Sequence, residues 1–322
     1  MTPTFRSIRD TLRGRISQIR GAIGGPRTGT RRDDEATHIG SLVRDTWTVL
    51  EGRLQSKLLD HGVPTNFAGL DTVTQGLQPG ELIFLVGRPS VGTTALGLNI
   101  VRNAALLTTT PVGVFSLDMS KRSMVERLIC SEAAVDSYLL STGQASVADF
   151  QRIARAMDRL NEAPLWIDDA TALTINSLRV RARRMKARHG VKLILVDNLQ
   201  LMRSVHHQSP AYGFTEVAAG LKSLAKELNV PVLVLAQLPA VPDGEPNGPP
   251  QPHDLLPLGR VDQHADVVLF LHRPGLYVDD GDPSVAQLHV AKNRSGPTTV
   301  IDLTFNPQVG TFAEVAREKA EV

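Results

Sequence analysis

The chain has 322 residues, 42% hydrophobic, 21% charged and 4% aromatic, with a formal net charge of +2 and a single cysteine, Cys130. These values exclude a disordered, collagen-like or disulfide-built protein, and a lone cysteine points to a reducing compartment without a Cys-rich metal site. No apolar stretch approaches the roughly 18–20 residues that span a bilayer, so the expectation is a soluble, cytoplasmic chain of one large or two medium domains.

The charge is unevenly spread. Residues 1–32 hold eight arginines, no lysine and one acid, Asp10, a balance of +7, which leaves −5 on the remaining 290 residues. A basic isoelectric point therefore says nothing about nucleic-acid binding by the globular part. Within this arm Phe5, Ile8, Leu12, Ile16, Ile19 and Ile23 recur three and four apart, the pattern of a short amphipathic helix that stops at Gly24-Gly25-Pro26. Three readings stay open for it: a solvated arm, a helix docking on a partner or anionic surface, and a removed targeting peptide.

Residues 26–40 lack periodicity and read as a linker. A second amphipathic segment follows, with Val43, Trp47, Leu50, Leu54 and Leu58 at helical spacing and Gly62 and Pro64 behind it. Its stripe packs either on its own domain or on a neighbouring subunit. The expected organisation is thus a basic arm and linker over 1–40, an amphipathic helix over 41–62 and one domain over 63–322.

From residue 81 short apolar runs alternate with helical stretches. The runs are 82–86, 112–117, 165–168, 193–197, 232–236 and 267–271, with helices expected over 95–107, 177–189 and 215–228. Continuous apolar strands separated by crossover helices mean a mainly parallel sheet covered on both faces. Two later runs, 286–291 and 300–305, are joined by a turn at 293–297 with no helix between them, and predict an antiparallel hairpin at the C-terminal end.

The first strand is followed by Gly87-Arg88-Pro89-Ser90-Val91-Gly92-Thr93-Thr94, which runs straight into a helix. Strand, glycine loop and helix N-terminus point backbone N–H groups at one spot, the arrangement that cradles a phosphate chain. The spacing is that of a P-loop, but Thr93 stands where a lysine is required, while Thr94 keeps the hydroxyl that would hold Mg²⁺. Losing a cation of that kind costs on the order of 3 kcal/mol of transition-state stabilisation. Other strands end in polar groups at the same level: Asp197 as a metal-side acid, Asp118 where an attacking water would be polarised, and Gln237 as a γ-phosphate sensor. His206, His207 and His264 are too scattered to suggest a metal site.

Several stretches together resemble the C-terminal motor domain of the DnaB family of replicative DNA helicases, a RecA-like fold. They include Gly87-Arg88-Pro89-Ser90-Val91-Gly92, Phe115-Ser116-Leu117-Asp118-Met119-Ser120, Val196-Asp197-Asn198-Leu199-Gln200-Leu201-Met202 and Ala291-Lys292-Asn293-Arg294-Ser295-Gly296-Pro297, within a resemblance covering roughly 60–313. The resemblance implies an α/β RecA-like P-loop NTPase fold, ATP and Mg²⁺ as cofactors, and a hexameric ring with nucleotide at the subunit interface. By position it implies that Lys292 and Arg294 are the basic residues offered to the next subunit's γ-phosphate, Arg294 being the arginine finger. It also makes the 43–59 segment look like a linker helix docking on a neighbour.

Departures from the family pattern fall where chemistry is expected. Thr93 replaces the P-loop lysine, and Asp118 replaces a glutamate, retracting a base by about 1.5 Å when such displacements matter. Residues 239–259 contain seven prolines, three acids and no lysine or arginine, where the family carries basic residues for the DNA backbone. Leu256, Asp262 and His264 also differ from the family motif, and the family's N-terminal collar domain has no counterpart in the sequence. Three functions stay open: a DnaB-like subunit, in a homomeric or mixed ring, that binds ATP but hydrolyses it poorly and acts as a replication scaffold or regulator; a working 5′-to-3′ helicase in which Arg88 or Lys292 replaces the lysine; and a nucleotide-independent binding protein that uses its arginine arm.

Overall fold

In the computed structural model the described residues are 62–204, 210–240, 248–277 and 281–315, with 38–40, 42, 43 and 46 ahead of them. The chain divides into two compact units, Met1–Asp60 and His61–Val322. The amphipathic pattern of the arginine arm lies outside the described residues. Of the second stripe, Val43 is helical, as are Ile39, Gly40, Leu42 and Thr46, whereas Trp47, Leu50, Leu54 and Leu58 lie outside. No described helix is long and apolar enough to cross a membrane.

The second unit is built on one nine-stranded sheet. Its strands are β1 (Leu82–Gly87), β2 (Val112–Ser116), β3 (Leu165–Asp168), β4 (Leu193–Asp197), β5 (Val232–Gln237), β6 (Val267–His272), β7 (Val285–Asn293), β8 (Thr299–Asn306) and β9 (Thr311–Glu314). They lie in the order β3-β2-β4-β5-β1-β6-β7-β8-β9, parallel from β3 to β6 and antiparallel beyond. The hairpin expected near the C-terminus is present as β7 and β8. It continues the main sheet through β6, and the short β9, not expected from sequence, adds a further strand.

Strand periodicity explains the two-faced core. Along β1, Ile83 and Leu85 point into one apolar cluster and Leu82, Phe84 and Val86 into the other. Every residue of β1 and β4 is buried, which is why these strands read as unbroken apolar runs rather than alternating ones. Each of their apolar side chains contributes about 1.5–3 kcal/mol through burial.

The helices are α1 (Ala68–Thr74), α2 (Thr93–Leu107), α3 (Lys121–Ala133), α4 (Ser137–Ser141), α5 (Val147–Asn161), α6 (Ile175–His189), α7 (Pro210–Leu228) and α8 (Val261–His264). The sequence pattern delimits α2, α6 and α7. It does not delimit α3 and α5, although both carry start signals: Ser120 accepts from Ser123 N–H at 3.1 Å, and Ser146 and Asp149 form a reciprocal capping box. These helices bury narrow faces, Ile153 and Ala156 on α5 packing against Ala133 and Val135.

Consecutive β1 and β2 are separated in the sheet by β5 and β4. Such a switch in strand order opens a crevice at the carboxyl ends of the strands, where open α/β sheets bind ligands. The register brings Gly87 opposite Gln237 and Ser116 opposite Asp197.

Candidate nucleotide site

The glycine loop occupies that crevice. Ser90 and Gly92 take positive φ angles of 66° and 98°, turning the backbone around the loop and into α2. Gly92 caps α2 without a side-chain hydrogen bond, so the first N–H groups of the helix face the crevice without side-chain partners, the condition under which a helix N-terminus receives an anion. The loop tolerates little bulk. A Cβ on Gly87 would stand 2.5 Å from Val91 Cγ2 and 2.7 Å from Thr93 Oγ1, and one on Gly92 would stand 3.0 Å from Phe312 Cζ.

Thr93 is only 7% exposed, and its hydroxyl lies close against Gly87. Thr94 Oγ1 donates to Asp197 Oδ1 at 3.4 Å, and Asp197 is 2% exposed. Burial is the chief reason its carboxyl is pushed up to about 6; the Thr94 hydroxyl opposes the shift, Asp118 adds to it, and the charge of Arg127 works against it. A buried carboxylate beside a hydroxyl, destabilised in its charged form for want of a counter-charge, is a donor pair suited to a divalent cation that also takes phosphate oxygens and water. Among the described residues no group of three or more His, Cys, Asp or Glu could hold a metal by itself, and His206 and His207 lie outside them.

The loop forms one wall of a cleft of about 350 Å³, within the range of small-ligand sites. Arg88, Ser90, Gly92, Thr93, Thr94 and Gln237 line it, so six of the thirteen expected residues lie along one cleft. Gly87, Pro89 and Val91 belong to the same loop without lining the cleft. Asp118 is exposed just past β2, where the preceding Leu117 N–H donates to Asp197 O at 2.6 Å. Gln200 Nε2 donates to Gln237 O at 2.7 Å and steadies the end of β5.

No sequence motif marks the rest of the lining. Arg127 and Cys130 of α3, and Phe305, Pro307, Gln308, Val309 and Gly310 of β8 and its following turn, also line the cleft. Asn99, a buried polar residue of α2, fixes that turn by donating to Gly310 O at 3.1 Å and accepting from Phe312 N–H at 2.7 Å. A buried asparagine on an otherwise apolar helix face was the available sequence signal. Phe305 and Phe312 stack at 4.3 Å, and Arg273 lies over Phe305 at 4.5 Å.

Lys292 and Arg294 are not part of this cleft. Asn293, between them, pairs with Val267 at the start of β6, whereas Gly87 pairs with Leu271, a separation of about 13 Å along the strand. Lys292 Nζ donates to Asp262 O and Ala265 O, both at 2.7 Å. Arg294 is 74% exposed and reaches Asp266 Oδ1 at 3.5 Å.

A match to the DnaB-like helicase C terminal domain family spans residues 62–314. The chain is 39% identical over 257 residues to the replicative DNA helicase DnaB of Leifsonia xyli, covering 79% of this chain and 56% of the relative. It is 34% identical over 259 residues to DnaB of Geobacillus stearothermophilus, covering 80% of this chain and 57% of that one. The fold superposes on the ATPase domain of G40P with a TM-score of 0.81 at 25% identity, over 88% of this chain and all of that one. A DnaB-like replicative helicase studied with primase gives 0.78, also at 25% identity, over 86% of this chain and 71% of that one. The chain thus spans little more than half the length of these curated relatives. Its sequence and its fold together make it a member of the DnaB-like helicase C-terminal domain family.

Proposed function

We propose that this chain is a DnaB-like motor-domain subunit that binds ATP with Mg²⁺ in the glycine-loop cleft, hydrolyses it poorly, and serves DNA replication as a helicase-like scaffold or regulator. The observation that carries the reading is the loop itself. Its backbone conformation and the Thr94–Asp197 pair fit a Mg²⁺-bound phosphate chain, but the position that should supply a cation from the loop is held by the uncharged Thr93.

In this reading the α2 amides and residues Gly87 to Thr94 hold the phosphates, Thr94 and Asp197 hold the metal, and Gln237 senses the γ-phosphate. Bound Mg²⁺ supplies charge neutralisation of the phosphates. Asp118 orients water from a carboxylate one methylene shorter than a glutamate. Arg294 projects from the far end of the sheet, where it serves a neighbour rather than its own cleft, so turnover requires a homomeric or mixed ring. Single-stranded DNA contacts are weakened by the uncharged-to-acidic 239–259 stretch. The arginine arm of residues 1–32 is the element available for an anionic surface or partner, and 41–62 acts as the linker to a neighbour, ahead of a motor domain over 63–322.

ATP turnover by the full chain, measured with and without single-stranded DNA, tests this. The expected result is negligible turnover in the starting chain, gained in Thr93→Lys and lost again in Thr93→Lys/Asp197→Asn. DNA-stimulated turnover in the starting chain that disappears with Asp197→Asn would overturn the impairment and mark a working motor. Absence of nucleotide binding in every variant would overturn the nucleotide site.

A further inference from the structure

We infer that Arg127 supplies, from α3, the positive charge toward bound phosphate that the glycine loop lacks at Thr93. The inference rests on the nucleotide reading of the cleft and names the residue that lets such binding survive without a P-loop lysine.

Among the described residues the cleft has two basic side chains in its lining, Arg88 and Arg127. Arg88 is engaged, donating through Nη1 to Gly248 O at 3.1 Å. Lys292, the other basic residue that sequence offers as a substitute, is held by two carbonyl oxygens toward the far end of the strands. Arg127 differs from its helix neighbours as well. Lys121 pairs with Asp169 at 3.1 Å and Arg122 with Glu126 at 3.0 Å, while no carboxylate among the described residues forms an ion pair with Arg127. It is exposed, lines the same cleft as Thr93 and Thr94, and its charge is felt at Asp197.

A guanidinium in that position shares the cleft with the phosphate loop and acts electrostatically on the metal-side acid. Its planar fork suits phosphate oxygens, and its charge offsets theirs where the loop offers only amide dipoles. The geometry differs from a lysine rising out of the loop, because the cation is carried by a separate helix, α3. It therefore favours a bound triphosphate without standing where a loop lysine would follow the transferring group, which fits binding retained and turnover impaired.

The test is a titration of the full chain with fluorescent ATP and ADP analogues in the presence of Mg²⁺. Arg127→Gln is expected to weaken ATP binding by about tenfold or more and ADP binding much less, with Arg127→Lys retaining most of the affinity. In a Thr93→Lys background the same Arg127→Gln change is expected to cost less than about threefold, because the loop cation is restored. Equal losses in the two backgrounds, or equal losses for ATP and ADP, would overturn the assignment. Binding that appears only after Thr93→Lys would overturn it too, leaving the nucleotide site standing. If neither the starting chain nor Thr93→Lys binds nucleotide, the cleft reading itself fails, and this inference with it.

Discussion

Thr94 Oγ1 stands 3.4 Å from Asp197 Oδ1, joining the first turn of α2 to the end of β4. Among the described residues the contact is the carboxylate's one hydrogen bond, and with the charge of Arg127 it only partly offsets burial, so Asp197 is costly to ionise. Its folded-state value of about 6 lies above the ordinary 3.8. The native chain therefore binds the extra proton between those values, and stability falls as pH rises from about 4 to 6, then stays lowered. At pH 7.5 without Mg²⁺, Asp197→Asn should raise unfolding stability by about 2–3 kcal/mol, while Mg²⁺-nucleotide binding is lost. Urea unfolding and nucleotide titration check the two halves; an asparagine variant less stable than the starting chain would show that the carboxylate is satisfied.

His272 predicts the opposite pH trend. It is buried at the end of β6, and burial, aided by His289 and Arg88, depresses it to about 4. A base depressed in the folded state is neutral there but protonated in the unfolded chain, so stability is present above about pH 6.5 and is lost as pH falls toward 4. The full effect is about 3 kcal/mol. His272→Phe, which keeps a ring against Tyr277, should flatten the loss of urea midpoint between pH 7 and 5; an unchanged slope would assign the acid sensitivity to other groups.

The glycine loop gives a steric prediction. Gly92 combines a φ of 98° with a Phe312 ring that a Cβ would meet at 3.0 Å. Gly92→Ala should lower stability by about 1–3 kcal/mol and remove nucleotide binding, since relief requires moving the loop or the β8–β9 turn. Shortening the ring in Gly92→Ala/Phe312→Leu should recover part of the stability without restoring the backbone conformation. A variant that keeps both stability and binding would show that the positive φ is dispensable.

Much of this was legible in the sequence for one physical reason. Strands buried on both faces, such as 82–86 and 193–197, leave continuous apolar runs, and a glycine loop between strand and helix leaves a fixed spacing. Arg127 left no such trace. It lies on a helix whose buried side is short and whose exposed side is charged, and only the folding of α3 back over the loop places it at the cleft. Phe305 and Phe312 read as ordinary alternating strand residues, and their approach to Gly92 depends on how far the antiparallel strands extend the sheet past β6. The commitment of Lys292 to the Asp262 and Ala265 carbonyls was equally hidden, because backbone acceptors carry no sequence signature.

Asp266 yields the last prediction. It is 3% exposed and accepts from Leu82 N–H at 2.8 Å and Lys222 Nζ at 2.6 Å, with Arg294 Nη1 at 3.5 Å. It therefore links the first residue of β1 to α7 and to the exposed arginine. Removing one member of a buried pair leaves the other charge uncompensated, which costs about 3–5 kcal/mol, whereas removing both is far milder. Asp266→Asn and Lys222→Met should each lower the urea midpoint markedly, and the double variant should be more stable than the sum of the two losses implies. Arg294 contributes little to this coupling, since an exposed ion pair is worth at most about 1 kcal/mol; Arg294→Ala should leave stability nearly unchanged while abolishing any turnover that Thr93→Lys confers on assembled chains. Strict additivity of Asp266→Asn and Lys222→Met would mean that the two side chains act separately. A large stability loss in Arg294→Ala would mean that this arginine is a structural brace of its own chain rather than a group offered to a neighbour.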